Sequence, residues 1–132
     1  MSELVVVQND AVPYRTNITS KHHRWHADEP EDLGGQDTAP TPYELLLSAL
    51  GSCIAITLRM YAARKTWDLQ GLTVALTLSQ EKKQDGNLVT HIKRQFSFDG
   101  NLDDDQKERL IQIAAICPVS KMLTNTIEMH TI

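Results

Sequence analysis

The sequence has no excess of positive charge: 13 lysines and arginines stand against 17 acids, for a formal net charge of −4. General binding to nucleic acid or to an anionic membrane needs a positive field, so both are excluded as broad functions. Cysteine is scarce, two in 132 residues, and a chain of this length buries a core without disulfide staples. The opening MSELVVVQNDAVPY has no basic stretch leading into an apolar one, so no signal peptide is expected. In such a chain two thiols are expected to be reduced, and reactive or metal-binding rather than bridged. The longest uncharged, mostly apolar run, Leu45 to Leu58, has 14 residues, short of the roughly 18 that read as a spanning helix. Internal repeats and low-complexity tracts are missing too. What remains is an ordinary globular mix, 41% hydrophobic and 23% charged. It is expected to form a single cytoplasmic domain over residues 1–132.

Leu4–Gln8, Arg15–Ser20 and His22–Ala27 read as short strands, with Pro13 in a turn between the first two. Asp28 to Thr41 carries Pro30, Gly34, Gly35 and Pro40 among five acidic residues. That composition predicts a loop, and its length predicts that it is functional or wraps something. Thr41 is a good N-cap and Pro42 suits the first helical position. PYELLLSALGSCIAITLRMYAARK then reads as one helix of about six turns, with Arg64 and Lys65 in the last turn, where the dipole favours cations. Two alternating runs flank Asp85-Gly86, which predicts a β-hairpin. Asp103, Asp104 and Asp105 fill the first turn of a helix over Leu102–Ile116. Pro118 breaks that helix, Val119–Leu123 forms another short one, and Thr126–Ile132 closes as a strand. The order is α+β rather than repeating βαβ.

The first helix is apolar on nearly every face, through Leu45, Leu46, Leu47, Leu50, Ile54, Ile56 and Leu58. One small domain cannot easily cover it on all sides, so a second copy of the chain is expected to help. Ser48, Ala49, Gly51, Ser52 and Ala55 are small enough for two such helices to approach closely.

Cys53 falls in the middle of that helix, where a thiol has no dipole assistance and desolvation raises its pKa. By position it reads as a small core hydrophobe. Cys117 precedes Pro118, which makes it the N-cap of the short helix. Facing unsatisfied N–H groups and with Lys121 one turn on, its thiol is expected to have a lowered pKa. The alternative is that Cys117 merely ends an apolar helix. If the two thiols meet, one attacks a peroxide and the other resolves the sulfenic acid to a disulfide.

GGQDTAPTPYELLLSALGSCIAITLRMYAARKTWDL, then the hairpin, then ICPVSKML, resembles the OsmC/Ohr family (osmotically inducible protein C and organic hydroperoxide resistance), and within it the OsmC-like subgroup. The likeness runs from about Asp28 to the C-terminus, and ELLLSALGSC followed by CPV is its most specific part. The resemblance implies an intertwined α+β homodimer, with two six-stranded, antiparallel-rich sheets wrapped around two long central helices. It implies active sites where the protomers join, with Cys53 attacking the peroxide and Cys117 resolving. It also implies an arginine from the N-terminal strands, Arg15 or Arg24, beside Cys53 and paired with a glutamate near the helix start. The chain departs from the hydroperoxide-resistance pattern by placing Tyr43 directly after the proline and Glu44 one later, a turn of about 100° on a helix. It also has Ser120 where related members often carry histidine after CPV. The implied activity is reduction of organic hydroperoxides, with hydrogen peroxide a further candidate, in oxidative or osmotic stress. The implied partners are a second subunit, a small hydroperoxide and a dithiol reductant of the lipoyl type. No cofactor, metal, nucleic acid or membrane is implied. A non-catalytic dimer that binds a small apolar ligand or senses redox state is the alternative, favoured by Glu44 and Ser120.

Other signals are weaker. On a strand His22 and His26 share a face and His23 points away, and no second ligand pair with metal-like spacing accompanies them. Arg59 follows a long uncharged stretch and needs a carboxylate or water. Arg64 and Lys65 suit an anion or a solvated helix end equally well. Trp25 and Trp67 read as packing residues. Gly34-Gly35 lacks the context of a phosphate loop.

Overall fold

A computed structural model describes residues 3–132. The chain forms two compact units, one ending at Leu46 and the other spanning Leu47–Ile132. The mixed α+β class expected from the element order is the one observed.

In the first unit, β1 (Val6–Asn9), β2 (Thr16–Ser20) and β3 (His23–Ala27) form an antiparallel sheet in that order. Ile18 pairs with Val7 on one side and Trp25 on the other and is the buried centre of β2. The loop after β3 is organised by Asp28, whose carboxylate accepts the Glu29 N–H at 2.8 Å, the Thr38 N–H at 3.1 Å and the Thr38 hydroxyl at 2.7 Å. A buried charge is tolerated where such bonds satisfy its lone pairs. They hold the Asp28 pKa below the ordinary value, the Thr38 hydroxyl contributing most, against the opposing effect of burial. A short 3-10 turn, Glu31–Leu33, ends at Gly34 with φ 95°. Gly35 has no room for a side chain, since a Cβ there would stand 1.9 Å from the Glu29 carbonyl oxygen.

The long helix α1 (Pro42–Arg64) begins in the first unit and runs through the second. Thr41 caps it as expected, in a full capping box. The Thr41 hydroxyl accepts the Glu44 N–H at 3.2 Å, and Glu44 reaches back to the Thr41 N–H at 3.0 Å. In the second unit α1 buries Leu50, Ile54, Leu58, Tyr61 and Ala62. The hairpin β4 (Asp68–Lys82) and β5 (Leu88–Asn101) carries the alternation read from sequence. Leu72 faces Phe98, Val74 faces Phe96 and Leu78 faces Ile92, and all of these but Leu78 pack on the α1 core. Asp85-Gly86 makes the turn: the Gly86 N–H bonds the Lys83 carbonyl at 3.0 Å with φ 89° at Gly86, a turn closed by a left-handed residue. Gly51 lets the hairpin come close, because a Cβ there would lie 2.8 Å from Leu76 Cδ1. Helices α2 (Asp104–Ala114) and α3 (Pro118–Leu123) complete the core with Leu110, Ile113, Ala114 and Cys117. Each large aliphatic side chain buried there contributes about 1.5–3 kcal/mol.

Two expectations are corrected. Thr126–Ile132 forms no strand, and Met129 and Ile132 are exposed; a strand needs a neighbour to receive its backbone hydrogen bonds, and the tail has none within the described chain. The described residues of the single chain hold a three-stranded sheet and a two-stranded one. Counting uncharged residues also understated α1. With Arg59 included, its best window has a mean hydropathy of 1.6, and by length and composition the helix is apolar enough to cross a bilayer. Here one of its faces is protein core, and Arg59 donates to the Leu69 carbonyl. That carbonyl is the partner the sequence left open between a carboxylate and water.

Candidate active site, a pair of thiols

The break between α2 and α3 fixes one thiol. Pro118 cannot continue α2, so the chain turns at Cys117, which adopts an extended conformation and caps α3. Its sulfur accepts the Ser120 N–H at 3.3 Å. The expected cap is therefore present. The lowered thiol pKa expected with it is not: burial pushes the Cys117 thiol up, and this outweighs the Ser120 amide that pulls it down. The neighbouring Cys53 thiol raises it further. Lys121 is exposed and does not offset the burial.

The second thiol comes from α1. Cys53 packs against the core cluster that contains Cys117 and is near enough to raise the pKa of that thiol. Cys53 is half-buried where Cys117 is fully buried, and neither is in a disulfide. Two cysteines far apart in sequence thus come into one packed cluster, the less buried one on α1 and the buried one at the start of α3. Leu50 and Ile54 of α1 and Ala114 of α2 belong to the same buried cluster.

The remaining predicted site residues lie in the other unit and are engaged locally. Arg15 donates to the Thr38 hydroxyl at 2.5 Å, the same hydroxyl that donates to Asp28. Arg24 is exposed on β3, opposite Thr19. Glu44 is held in the α1 capping box. Among the described residues no ion pair joins Glu44 to an arginine. His22 sits in the β2–β3 turn, outside β3, and its ring lies 4.1 Å from that of His23. The face shared by His22 and His26 therefore does not form.

Two features were missed from sequence. Arg94 lies on the core-facing side of β5, opposite Leu76, with its guanidinium over the Phe96 ring at 5.7 Å; strand parity contained that signal. Tyr61 and Arg109, joined at 3.2 Å, are distant in sequence, and no local pattern links them.

A family model described as OsmC-like protein matches residues 35–131, and the chain belongs to that family. Protein YhfA of Escherichia coli strain K12 is 31% identical over 99 residues, covering 73% of each chain. Among solved structures, an OsmC-like protein from Mycoplasma pneumoniae aligns with a TM-score of 0.76 at 17% identity, over 93% of this chain and 87% of that one. The organic hydroperoxide resistance protein OhrB of Bacillus subtilis aligns with a TM-score of 0.67 at 18% identity, over 94% and 91%. At such identities the structural likeness establishes the fold.

Proposed function

We propose that the protein is a thiol-dependent peroxidase for organic hydroperoxides, acting in the cytoplasm against oxidative or osmotic stress. The observation that carries the reading is that a half-buried Cys53 packs against the same core cluster that holds the buried Cys117, capped by the Ser120 amide. The Cys53 thiolate attacks one oxygen of the hydroperoxide, the O–O bond breaks, and the organic fragment leaves as an alcohol after taking up a proton. Cys53 is now a sulfenic acid. The Cys117 sulfur displaces its hydroxyl as water, forming the Cys53–Cys117 disulfide. A dithiol, of the lipoyl type in the family reading, reduces the disulfide by exchange and is itself oxidised. Hydrogen peroxide would enter the same sequence and leave as water.

A thiolate on a mid-helix position needs a cation. An arginine of the N-terminal strands, Arg15 or Arg24, is proposed for this role, with Glu44 as its acidic partner once the capping box opens. The protein is also proposed to act as a homodimer, on the evidence of α1: Ile56 is 61% exposed and Met60 67%, on a helix otherwise built for a core. A second subunit on that face would give each C-terminal tail an edge to pair with and would complete larger sheets.

The test is turnover of cumene hydroperoxide with dihydrolipoamide. Wild type turns over, Cys53→Ser reduces the rate to background, and full activity without Cys53 would discard the scheme. A second reading, a dimer that binds a small ligand or senses redox state without turnover, is favoured by the engagement of Glu44 in the cap. It predicts no turnover in the wild type either.

A further inference from the structure

The first unit treats its two candidate arginines differently. Arg24 stands exposed on β3. Arg15 is half-buried immediately before β2, and its Nη1 donates to the Thr38 hydroxyl at 2.5 Å. Thr38 in turn donates its hydroxyl proton to the Asp28 carboxylate at 2.7 Å. A hydroxyl has one proton. With that proton on Asp28, the Thr38 oxygen meets Arg15 as an acceptor. The carboxylate also polarises the hydroxyl, which strengthens its bond to the guanidinium.

The loop after β3 has other supports. The Asp28 carboxylate accepts the Glu29 and Thr38 N–H groups. The Asp28 N–H bonds the Pro40 carbonyl at 3.0 Å, and the Asp37 N–H bonds the Glu29 carbonyl at 3.0 Å. Asp37 takes the left-handed conformation, φ 52°, uncommon for a residue with a side chain, directly before Thr38. The Thr38 hydroxyl adds to that scaffold, and its oxygen serves Arg15. A hydroxyl holds a guanidinium without covering it. A carboxylate in its place would engage two N–H groups side by side. Thr38 takes one of the five donors, and Asp28 stays one hydroxyl removed. Among the described residues Arg15 forms no ion pair. Its side chain is held at one point with its charge open to a second anion. Such prior fixing lowers the ordering cost when that anion arrives.

We propose that Thr38, oriented by Asp28, is a positioning residue that holds Arg15 as the cation for the Cys53 thiolate. The assignment rests on the reading that an arginine of the N-terminal strands serves Cys53, and it selects Arg15 over Arg24.

Alkylation of the Cys53 peptide by iodoacetamide is followed in the reduced full-length protein from about pH 6 to 10, across the thiol range, beside turnover of cumene hydroperoxide. Arg15→Gln is expected to slow alkylation at neutral pH at least about tenfold and to move its midpoint up, since a nearby opposite charge lowers an acid's pKa by about one unit or more. Arg24→Gln leaves the profile unchanged. Thr38→Val keeps the backbone N–H on Asp28 and removes the hydroxyl; it moves the midpoint in the same direction by a smaller amount. Thr38→Ser, which keeps the hydroxyl, restores the wild-type profile. With Arg15 already replaced by glutamine, Thr38→Val has no further effect, because the two residues act as a unit. Urea denaturation confirms that each variant is folded. A wild-type profile in Arg15→Gln or in Thr38→Val would overturn the proposal. So would an undiminished effect of Thr38→Val in the Arg15→Gln background, failure of Thr38→Ser to restore the profile, or Arg24→Gln acting in place of Arg15→Gln. A Cys53 midpoint set by Arg15 and Thr38 in a wild type that turns over no hydroperoxide would sink the peroxidase reading and leave the positioning assignment standing.

Discussion

Cys53 and Cys117 share a site but differ in everything that surrounds them. Cys117 has the feature usually associated with a reactive thiol, a helix N-cap with an amide N–H on its sulfur. Yet it is fully buried, and desolvation wins, holding its pKa up. Cys53 has no such cap, but it is only partly buried, in the middle of α1. A helix terminus is worth a fraction of a kcal/mol up to about 2, whereas removing a charge from water costs several. In the proposed scheme access therefore assigns the roles: the less buried Cys53 is the one to meet the substrate, and the buried Cys117 is the one to resolve it.

The largest effect that would break this contrast is on turnover. Cys53→Ser is expected to abolish hydroperoxide reduction, while Cys117→Ser consumes at most one equivalent of peroxide and then stops. Serine is itself a good N-cap, so α3 persists and the loss in the second variant reflects the missing sulfur. Equal steady-state activity in the two variants would erase the distinction. Next in size is the core behind the pair: Leu58→Ala is expected to lower unfolding free energy by about 3 kcal/mol, read by urea denaturation. The two thiols should also differ in alkylation. Iodoacetamide at neutral pH is expected to modify Cys53 faster than Cys117, since burial both shields the Cys117 sulfur and keeps it protonated. Peptide mass mapping over time gives the ratio.

A pH effect on stability sharpens the same point. Cys117 has a raised folded-state pKa, so the folded protein holds its proton more tightly than the unfolded chain does. Its contribution is complete below the ordinary thiol range of about 8.5 and is lost as pH climbs through the raised value. Replacement by alanine should flatten the alkaline fall in stability. The smallest expected effect compares caps. Asp103 caps α2 with a full capping box, its carboxylate accepting the Gln106 N–H at 2.7 Å, and Asp103→Ala should cost about 1 kcal/mol.

What was legible in the sequence was local. Asp85-Gly86 placed the hairpin turn, Thr41-Pro42 placed the start of α1, and Pro118 placed the break that makes Cys117 a cap. Each depends on backbone chemistry within a few residues. Burial does not, and so local sequence leaves Cys117 open between a capped, lowered-pKa thiol and the end of an apolar helix: the cap is encoded beside it, while the core cluster that buries it draws on Leu110, Ala114 and the distant α1. The last segment was misread for a related reason. Thr126–Ile132 has strand composition, but a strand exists only where an edge receives it. Glu44 shows the converse, a residue offered for catalysis whose spacing from Thr41 already spelled a capping box. The meeting of Arg109 with Tyr61 left no trace in the sequence, because nothing in either neighbourhood refers to the other.

The most direct test of the thiol pair is its own oxidation product. Reduced protein is treated with one equivalent of cumene hydroperoxide, digested without reductant, and the peptides are weighed. The account predicts a linked pair joining the Cys53 and Cys117 peptides of one chain, reversed by a dithiol. Two unmodified thiols, or Cys53 carried on to sulfinic acid with Cys117 untouched, would contradict it.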